Sequence, residues 1–296
     1  MKRVVPPFLS RGDPVSLVAP AGPDDPRDGR EGAGRVGEIF EIVHEPDRAG
    51  VEGFLAAPDE ARLEELRGAF GSEAKAVLAV RGGWGTTRVI DDLDVEPLRG
   101  APLWLVGSSD LTALLMRLWE EIRLVSIHGP MPSRFAAVAP GDVGALFGLL
   151  LGSPWRCPGG LFPVRPGAAR GPMIGGNLTV LAHLCGASSP AVTDGAILFL
   201  EEVNEAPYRV DRCLVQLERA GFLEGLEGVV LGAFTGCSPG PYGVSVEEVL
   251  EGRLGKLGIP VAGGYPGAHG SRNYPFVHGG EVSLRVANDV SIELIL

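Results

Sequence analysis

The chain has 296 residues, 45% hydrophobic and 21% charged, a length that fits one large domain or two ordinary ones and a composition usual for a globular protein. Its formal net charge of -11 argues against nucleic acid as a partner, because phosphate binding needs clustered Lys and Arg; a small molecule or peptide is left. No window approaches the ~18 consecutive apolar residues of a membrane span.

The opening "MKRVVPPFLSRGDP" has no apolar core ahead of its prolines, so no signal peptide is expected and the cytoplasm is favoured. Cys157, Cys185, Cys213 and Cys237 are widely spaced without a C-x-x-C pair. Reduced thiols are expected, and neither zinc nor any other cofactor.

In chain order, "VSLVA" from Val15 to Ala19 reads as a buried strand closed by the turn-rich "PAGPDDPRDG", and "EIFEIVHE" alternates like a second strand. "APDEARLEELRGAF" is the clearest early helix, with Ala61, Leu63, Leu66 and Phe70 as its apolar face and Asp59 as a cap. "KAVLAV" is a strand running into "RGGWGTTR", and a further helical stretch follows. Strand "PLWLV" then leads through Gly-Ser-Ser-Asp into a helix with Leu111, Leu114, Leu115, Leu118 and Ile122 on one face, and "LVSIHGP" is another strand.

The segment 152–172 is crowded with Gly and Pro and reads as a linker. Beyond it, "GAILFL" and "EGVVLGAF" are strands and "YRVDRCLVQLERAG" is a helix; the tail is β-rich with a turn at Asn288-Asp289. The expected fold is α/β. A flavodoxin-like parallel-sheet domain (1–151) precedes the linker, and a β-rich α/β domain (173–296) follows it.

Two loops of the first domain fall where α/β proteins place their sites, at the carboxyl ends of strands. "RGGWGTTR" offers backbone N–H groups to a developing negative charge, yet Arg88 stands where a dinucleotide fingerprint needs its third Gly, and no Walker lysine follows. In "GSSD", Ser109 is either a helix cap or a nucleophile on a strand-to-helix turn; Leu111 breaks the G-x-S-x-G form of that turn.

A serine nucleophile needs a base and a group that orients it. Of the five histidines, His44 sits among charges, His183 in an apolar helical run and His128 at a strand end, while His269 and His278 belong to the Gly-rich segment after Gly263. Glu201 and Glu202 end an apolar strand, with Arg209 and Arg212 close behind; periodicity does not say which carboxylate points inward. No H-x-x-x-H spacing suggests a metal hydrolase.

Taken together, "GFLAAPDEARLEELRGAFGSEAKAVLAVRGGWGTTRVIDDLD", "GSSDLTAL", "IHGPM", "GGNLTVLAHLCG", "GAILFLEEVNEAPYRVDR" and "GAHGSRNYP" resemble the LD-carboxypeptidase family of serine peptidases, which also contains the microcin-immunity hydrolases. The six motifs occur in the family's order and spacing from about Val15 to Pro275. The resemblance implies a triad of Ser109, Glu201 and His269, with the backbone N–H of Asp110 and that of Gly82 or Gly83 as oxyanion donors. Arg81, Trp84, Arg209 and Arg212 are then candidates for contacting substrate. Two positions depart from the family pattern: Ser108 stands where an aromatic residue is usual, and Trp84 replaces a tyrosine.

The activity implied is release of the terminal D-alanine of murein tetrapeptides in cell-wall recycling, by a homodimer without cofactor. Two alternatives are hydrolysis of peptidyl-nucleotide antibiotics and, in another class, non-catalytic muropeptide binding.

Overall fold

Strands β1 (Pro14–Val18), β3 (Ala76–Ala79) and β4 (Trp104–Gly107) are apolar runs because both their faces are covered, the usual condition of a parallel sheet. They belong to a computed structural model that describes residues 2–267 and 269–295. The chain forms two units. One comprises the chain up to Trp155 together with Pro275–Val277; the other comprises Arg156–Tyr274 and the chain from His278 onward.

In the first unit, β1 is followed by α1 (Pro26–Gly37), β2 (Glu41–His44), α2 (Asp59–Gly71), β3, β4, α3 (Thr112–Ile122), β5 (Ser126–His128) and α4 (Pro140–Leu150). The parallel order β2-β1-β3-β4-β5 is that of a flavodoxin-like sheet. Strand order reverses between β1 and β3, so the loops leaving those strands flank the crevice where this architecture binds ligands.

Helix α1 lies where a turn-rich segment was expected. Asp25 caps it through Arg27 N and Asp28 N, Pro26 occupies its first turn, and its glycines permit very close packing. A methyl group on Gly32 would sit 2.1 Å from the carbonyl oxygen of Pro132. Helix α2 forms as expected, but its buried face is Arg62, Leu66 and Ala69, with Ala61 exposed and Leu63 and Phe70 half-buried. Asp59 is the first helical residue and makes no cap; it binds Arg62 and Arg88 instead. Three short 3-10 turns replace the expected helix between Thr86 and Arg99. Helix α3 is buried nearly all round rather than along one face.

The second unit contains β6 (Phe162–Arg165), β7 (Gly167–Asn177), α5 (Leu178–His183), β8 (Ile197–Val203), α6 (Pro207–Arg219), β9 (Gly228–Thr235), α7 (Val246–Leu254) and β10 (Val261–Gly263), and ends in β12 (Glu281–Val286) and β13 (Val290–Leu294). Between these last strands and β10 lies β11 (Phe276–His278), which joins the first sheet beside β5. The second sheet has the order β13-β12-β7-β8-β9-β10-β6. Its centre, β7-β8-β9-β10, is parallel, and β12, β13 and β6 run antiparallel to their neighbours. The stretch read as a linker carries β6 and the first half of β7. Pro163 is tolerated in β6 because that strand is the sheet's edge.

His278 is fully buried, and its Nε2 accepts the N–H of Gly175 at 3.1 Å. Burial pushes its pKa from 6.5 down to about 3, so it is neutral in the folded chain while the unfolded chain protonates it below 6.5. Unfolding therefore takes up a proton between these values, and stability falls as pH drops through that window, at most by about 1.4 kcal/mol per unit. Urea midpoints measured at pH 7 and pH 5 are expected to differ more for wild type than for His278→Gln. Equal differences would remove His278 as the cause.

Candidate active site

Strand β4 delivers its end to a turn in which Ser108 and Asp110 are buried and Ser109 is half-exposed between them. Ser109 has φ +59, a left-handed conformation that costs a non-glycine residue about 1–3 kcal/mol. Strain of this kind at a strand-to-helix turn lifts a serine Oγ out of the backbone path. The position ahead of α3 is Leu111, so no side chain caps that helix. Leu111 is accommodated because Gly107 has no side chain: a methyl there would meet Leu111 Cβ at 2.7 Å. The glycine requirement of the elbow is met before the serine rather than after it.

The glycine loop leaves β3 beside this turn. A methyl on Gly82 would lie 2.7 Å from Cβ and 2.9 Å from Oγ of Ser109, so only glycine lets the two backbones meet. Gly83 and Gly85 have φ +107 and +134, and the carbonyl of Gly82 accepts the N–H of Gly22 at 3.0 Å. The N–H of Thr86 donates to Asp110 Oδ2 at 2.8 Å. Burial pushes the Asp110 carboxyl above its ordinary pKa, opposed by hydrogen bonds from Thr86 and by the charge of Arg62. Arg81 is exposed and donates to the carbonyl of Pro23, and Trp84 is also exposed. The first unit thus brings Ser109, Asp110, Gly82 and Gly83 together on adjoining loops.

The second unit holds the other two candidate residues. Glu201 lies two residues before the end of β8, opposite Asn177 of β7, where the register with β9 shifts. Gly232 leaves the space: a methyl there would be 3.0 Å from Glu201 Cβ and 2.4 Å from the carbonyl oxygen of Gly267. Glu201 Oε2 is 2.7 Å from Nδ1 of His269, with the carboxylate 1% exposed and the imidazole 25%. The loop bearing His269 is closed at its base by Tyr274 N donating to Pro266 O at 2.7 Å. With the proton on Nδ1 and shared with Glu201, Nε2 carries the lone pair a general base needs.

The two glutamates differ in their partners. Glu202 is also buried, but it accepts from Asn177 Nδ2 and Thr179 N at 2.8 Å and from Val203 N at 2.9 Å, anchoring the first turn of α5. Arg209 and Arg212 are exposed on α6, and Arg209 is engaged by Glu205 at 3.3 Å and by Tyr208. Among the remaining histidines, His128 is buried and stacked on Phe276, His183 is exposed, and His44 lies 3.2 Å from Glu65.

A serine raised on a strained turn against a glycine loop, and a buried carboxylate bonded to an imidazole, are the equipment of a serine hydrolase on α/β units. The model of the LD-carboxypeptidase N-terminal domain matches residues 15–129, and that of the C-terminal domain matches 170–284. The chain belongs to the LD-carboxypeptidase family, and it is a serine-type carboxypeptidase. It is 31% identical over 242 residues to a Pseudomonas aeruginosa protein named murein tetrapeptide carboxypeptidase, covering 76% of this chain and 78% of that one. The crystal structure of muramoyltetrapeptide carboxypeptidase from Oxalobacter formigenes is similar at a TM-score of 0.79 and 27% identity, over 95% of this chain and 98% of that one. The microcin C7 self-immunity protein MccF shares the fold at a TM-score of 0.87 and 19% identity, over 100% of this chain and 99% of the other.

The described residues include no helix long and apolar enough to cross a membrane. All four cysteines are free thiols.

Sequence reasoning missed Arg62, which is 1% exposed on α2. Its guanidinium donates to the carbonyls of Pro20, Ala57 and Gly85 and to Asp59. Its spacing to Leu66 and Ala69, four and seven residues on, is that of a buried helix face, and this was the available signal.

Proposed function

We propose that the chain hydrolyses the amide bond between the L-centre of a diamino acid and the terminal D-alanine of a murein tetrapeptide, with Ser109, His269 and Glu201 as the triad. The observation that carries this reading is the 2.7 Å contact between the buried Glu201 carboxylate and His269 Nδ1. The relatives named for murein tetrapeptide hydrolysis support the substrate class.

In the proposed reaction, His269 Nε2 takes the Ser109 proton as Oγ attacks the scissile carbonyl. Glu201 stabilises the imidazolium and keeps Nδ1 protonated. The backbone N–H of Asp110 and one from Gly82 or Gly83 receive the oxyanion; each such donor is worth about 100- to 1,000-fold in rate. The imidazolium then gives its proton to the departing D-alanine amine, leaving an ester on Ser109. Water, deprotonated by His269, resolves that ester and regenerates the serine. Arg81 and Trp84 on the glycine loop, and Arg209 and Arg212 on α6, are the proposed substrate contacts. The proposal extends to a homodimer acting in the cytoplasm.

The test is incubation of the purified protein with a murein tetrapeptide ending in D-alanine, followed by mass spectrometry. Loss of one alanine is expected, with a peptide ending in L-alanine left intact. Folded protein that releases nothing would overturn the reading, and a peptidyl-nucleotide amide would then be the next substrate to try.

A further inference from the structure

We infer that Arg62 and Asp110 are positioning residues that grip the Gly85–Thr86 peptide group from its two ends and so hold the glycine loop against Ser109. The inference rests on the proposal that Ser109 is the nucleophile and that this loop receives the oxyanion.

The two hydrogen bonds that define the grip fall on one peptide plane. Arg62 Nη1 donates to the carbonyl of Gly85 at 2.8 Å, and the N–H of the same peptide unit, that of Thr86, donates to Asp110 Oδ2 at 2.8 Å. In a trans peptide these groups point in opposite directions, so a cation at the oxygen end and an anion at the nitrogen end both favour one orientation of the plane. Both charged side chains are 1% exposed. Buried charges are costly unless paired and hydrogen-bonded, and here the loop's backbone mediates between them.

The loop needs such support. Gly83 and Gly85 are in positive-φ conformations, and glycine gains freedom on unfolding more than any other residue. A methyl on Gly85 would collide with Leu55 Cδ2 at 2.7 Å and Arg62 Nη1 at 2.8 Å, so Arg62 is packed against the loop as well as bonded to it. The same Nη1 also donates to the carbonyl of Pro20, just beyond β1, and Nε donates to that of Ala57, ahead of α2. Asp59, its carboxylate partner, is held in turn by Arg88 at 2.7 Å, which follows the loop in sequence. At the other end of the grip, Asp110 is covalently joined to Ser109. Movement of the Gly85–Thr86 plane would therefore change the spacing between Gly82 and the serine that it touches.

The effect should be confined to the transition state. Oxyanion donors act over a fraction of an ångström, and misplacement by about 1 Å can cost roughly 100-fold in rate with the substrate still bound. Asp110→Asn keeps an acceptor for Thr86 but removes the charge, and Arg62→Lys keeps the charge but loses the fork.

Both variants are expected to lose roughly 30- to 100-fold in kcat on the tetrapeptide, with KM changed less than about threefold. Affinity for a tetrahedral phosphonate analogue should fall in parallel, while affinity for the product tripeptide stays unchanged. The rate at which a fluorophosphonate labels Ser109 should drop as well, and it reports on the loop whatever the natural substrate is. A wild type that is labelled but releases no D-alanine would sink the substrate assignment and leave the grip testable. Circular dichroism establishes that each variant is folded; if one fails, the other carries the test. A folded Asp110→Asn or Arg62→Lys protein with wild-type kcat, phosphonate affinity and labelling rate would overturn the inference. So would equal losses in product and phosphonate affinity, since those would mark a general loosening of the unit.

Discussion

Ser109→Ala is expected to lose on the order of 10⁶-fold in kcat on a D-alanine-terminated murein peptide, the scale of loss when a serine peptidase is deprived of its nucleophile. Without Oγ no ester can form, and what survives is the modest help that oxyanion donors give to direct attack by water. The same substitution separates the two readings of the Gly-Ser-Ser-Asp turn. A helix cap is worth about 1 kcal/mol, which in a unit of this size shifts Tm by roughly 2–4 °C and leaves catalysis elsewhere untouched. A nucleophile on a strained turn gives the reverse pattern. The backbone at φ +59 is as unfavourable for alanine as for serine, so Tm should barely move while activity disappears. Retained turnover with a lowered Tm would make Ser109 a structural residue of the turn and send the search for the nucleophile elsewhere.

The parts of this site differ in how plainly the sequence announces them. Strands such as β3 and β4 are legible because burial on both faces leaves only apolar residues, and the loops after them follow from the parallel architecture. Helix α1 is hidden by its own glycines. They lower its intrinsic propensity, and the need for two of them shows only in contacts, Gly32 with the Pro132 backbone and Gly29 with the Asp24 carboxylate. Arg62 is hidden for a related reason: an arginine in a charged helix reads as solvated until the three carbonyls around it are known. The turn at Ser109 is visible as a turn, but its positive φ is a property of coordinates. The pairing of Glu201 with His269 joins residues 68 apart in sequence through a Gly-rich loop that has no periodicity, and only the family resemblance named both members. Adjacent residues of a strand face opposite ways, so choosing between Glu201 and Glu202 amounts to fixing a register to a single residue.

That choice yields the second large effect. Glu201→Gln is expected to lower kcat by about 10⁴-fold with little change in KM, following the behaviour of the carboxylate-to-amide change in serine peptidase triads. The carboxylate accepts from Nδ1 of His269 at 2.7 Å and is almost wholly out of solvent, where its charge opposes the cost of forming imidazolium most effectively. An amide has no charge to offer, and it can rotate to present N–H to Nδ1, driving the ring proton to the nitrogen that must accept from Ser109. Glu201 Oε1 has no hydrogen-bond partner among the described residues, so a glutamine also risks an unsatisfied buried donor costing about 1–3 kcal/mol.

Glu202→Gln supplies the contrast. Its carboxylate takes three hydrogen bonds at the start of α5, so the amide is expected to lower Tm while kcat stays within about tenfold of wild type. Steady-state kinetics and thermal unfolding of the two variants, measured side by side, decide between the neighbours. If Glu202→Gln abolished turnover and Glu201→Gln kept its rate, the acid would have to be reassigned by one residue. The His269 contact would then be a structural ion pair whose imidazole has some other task.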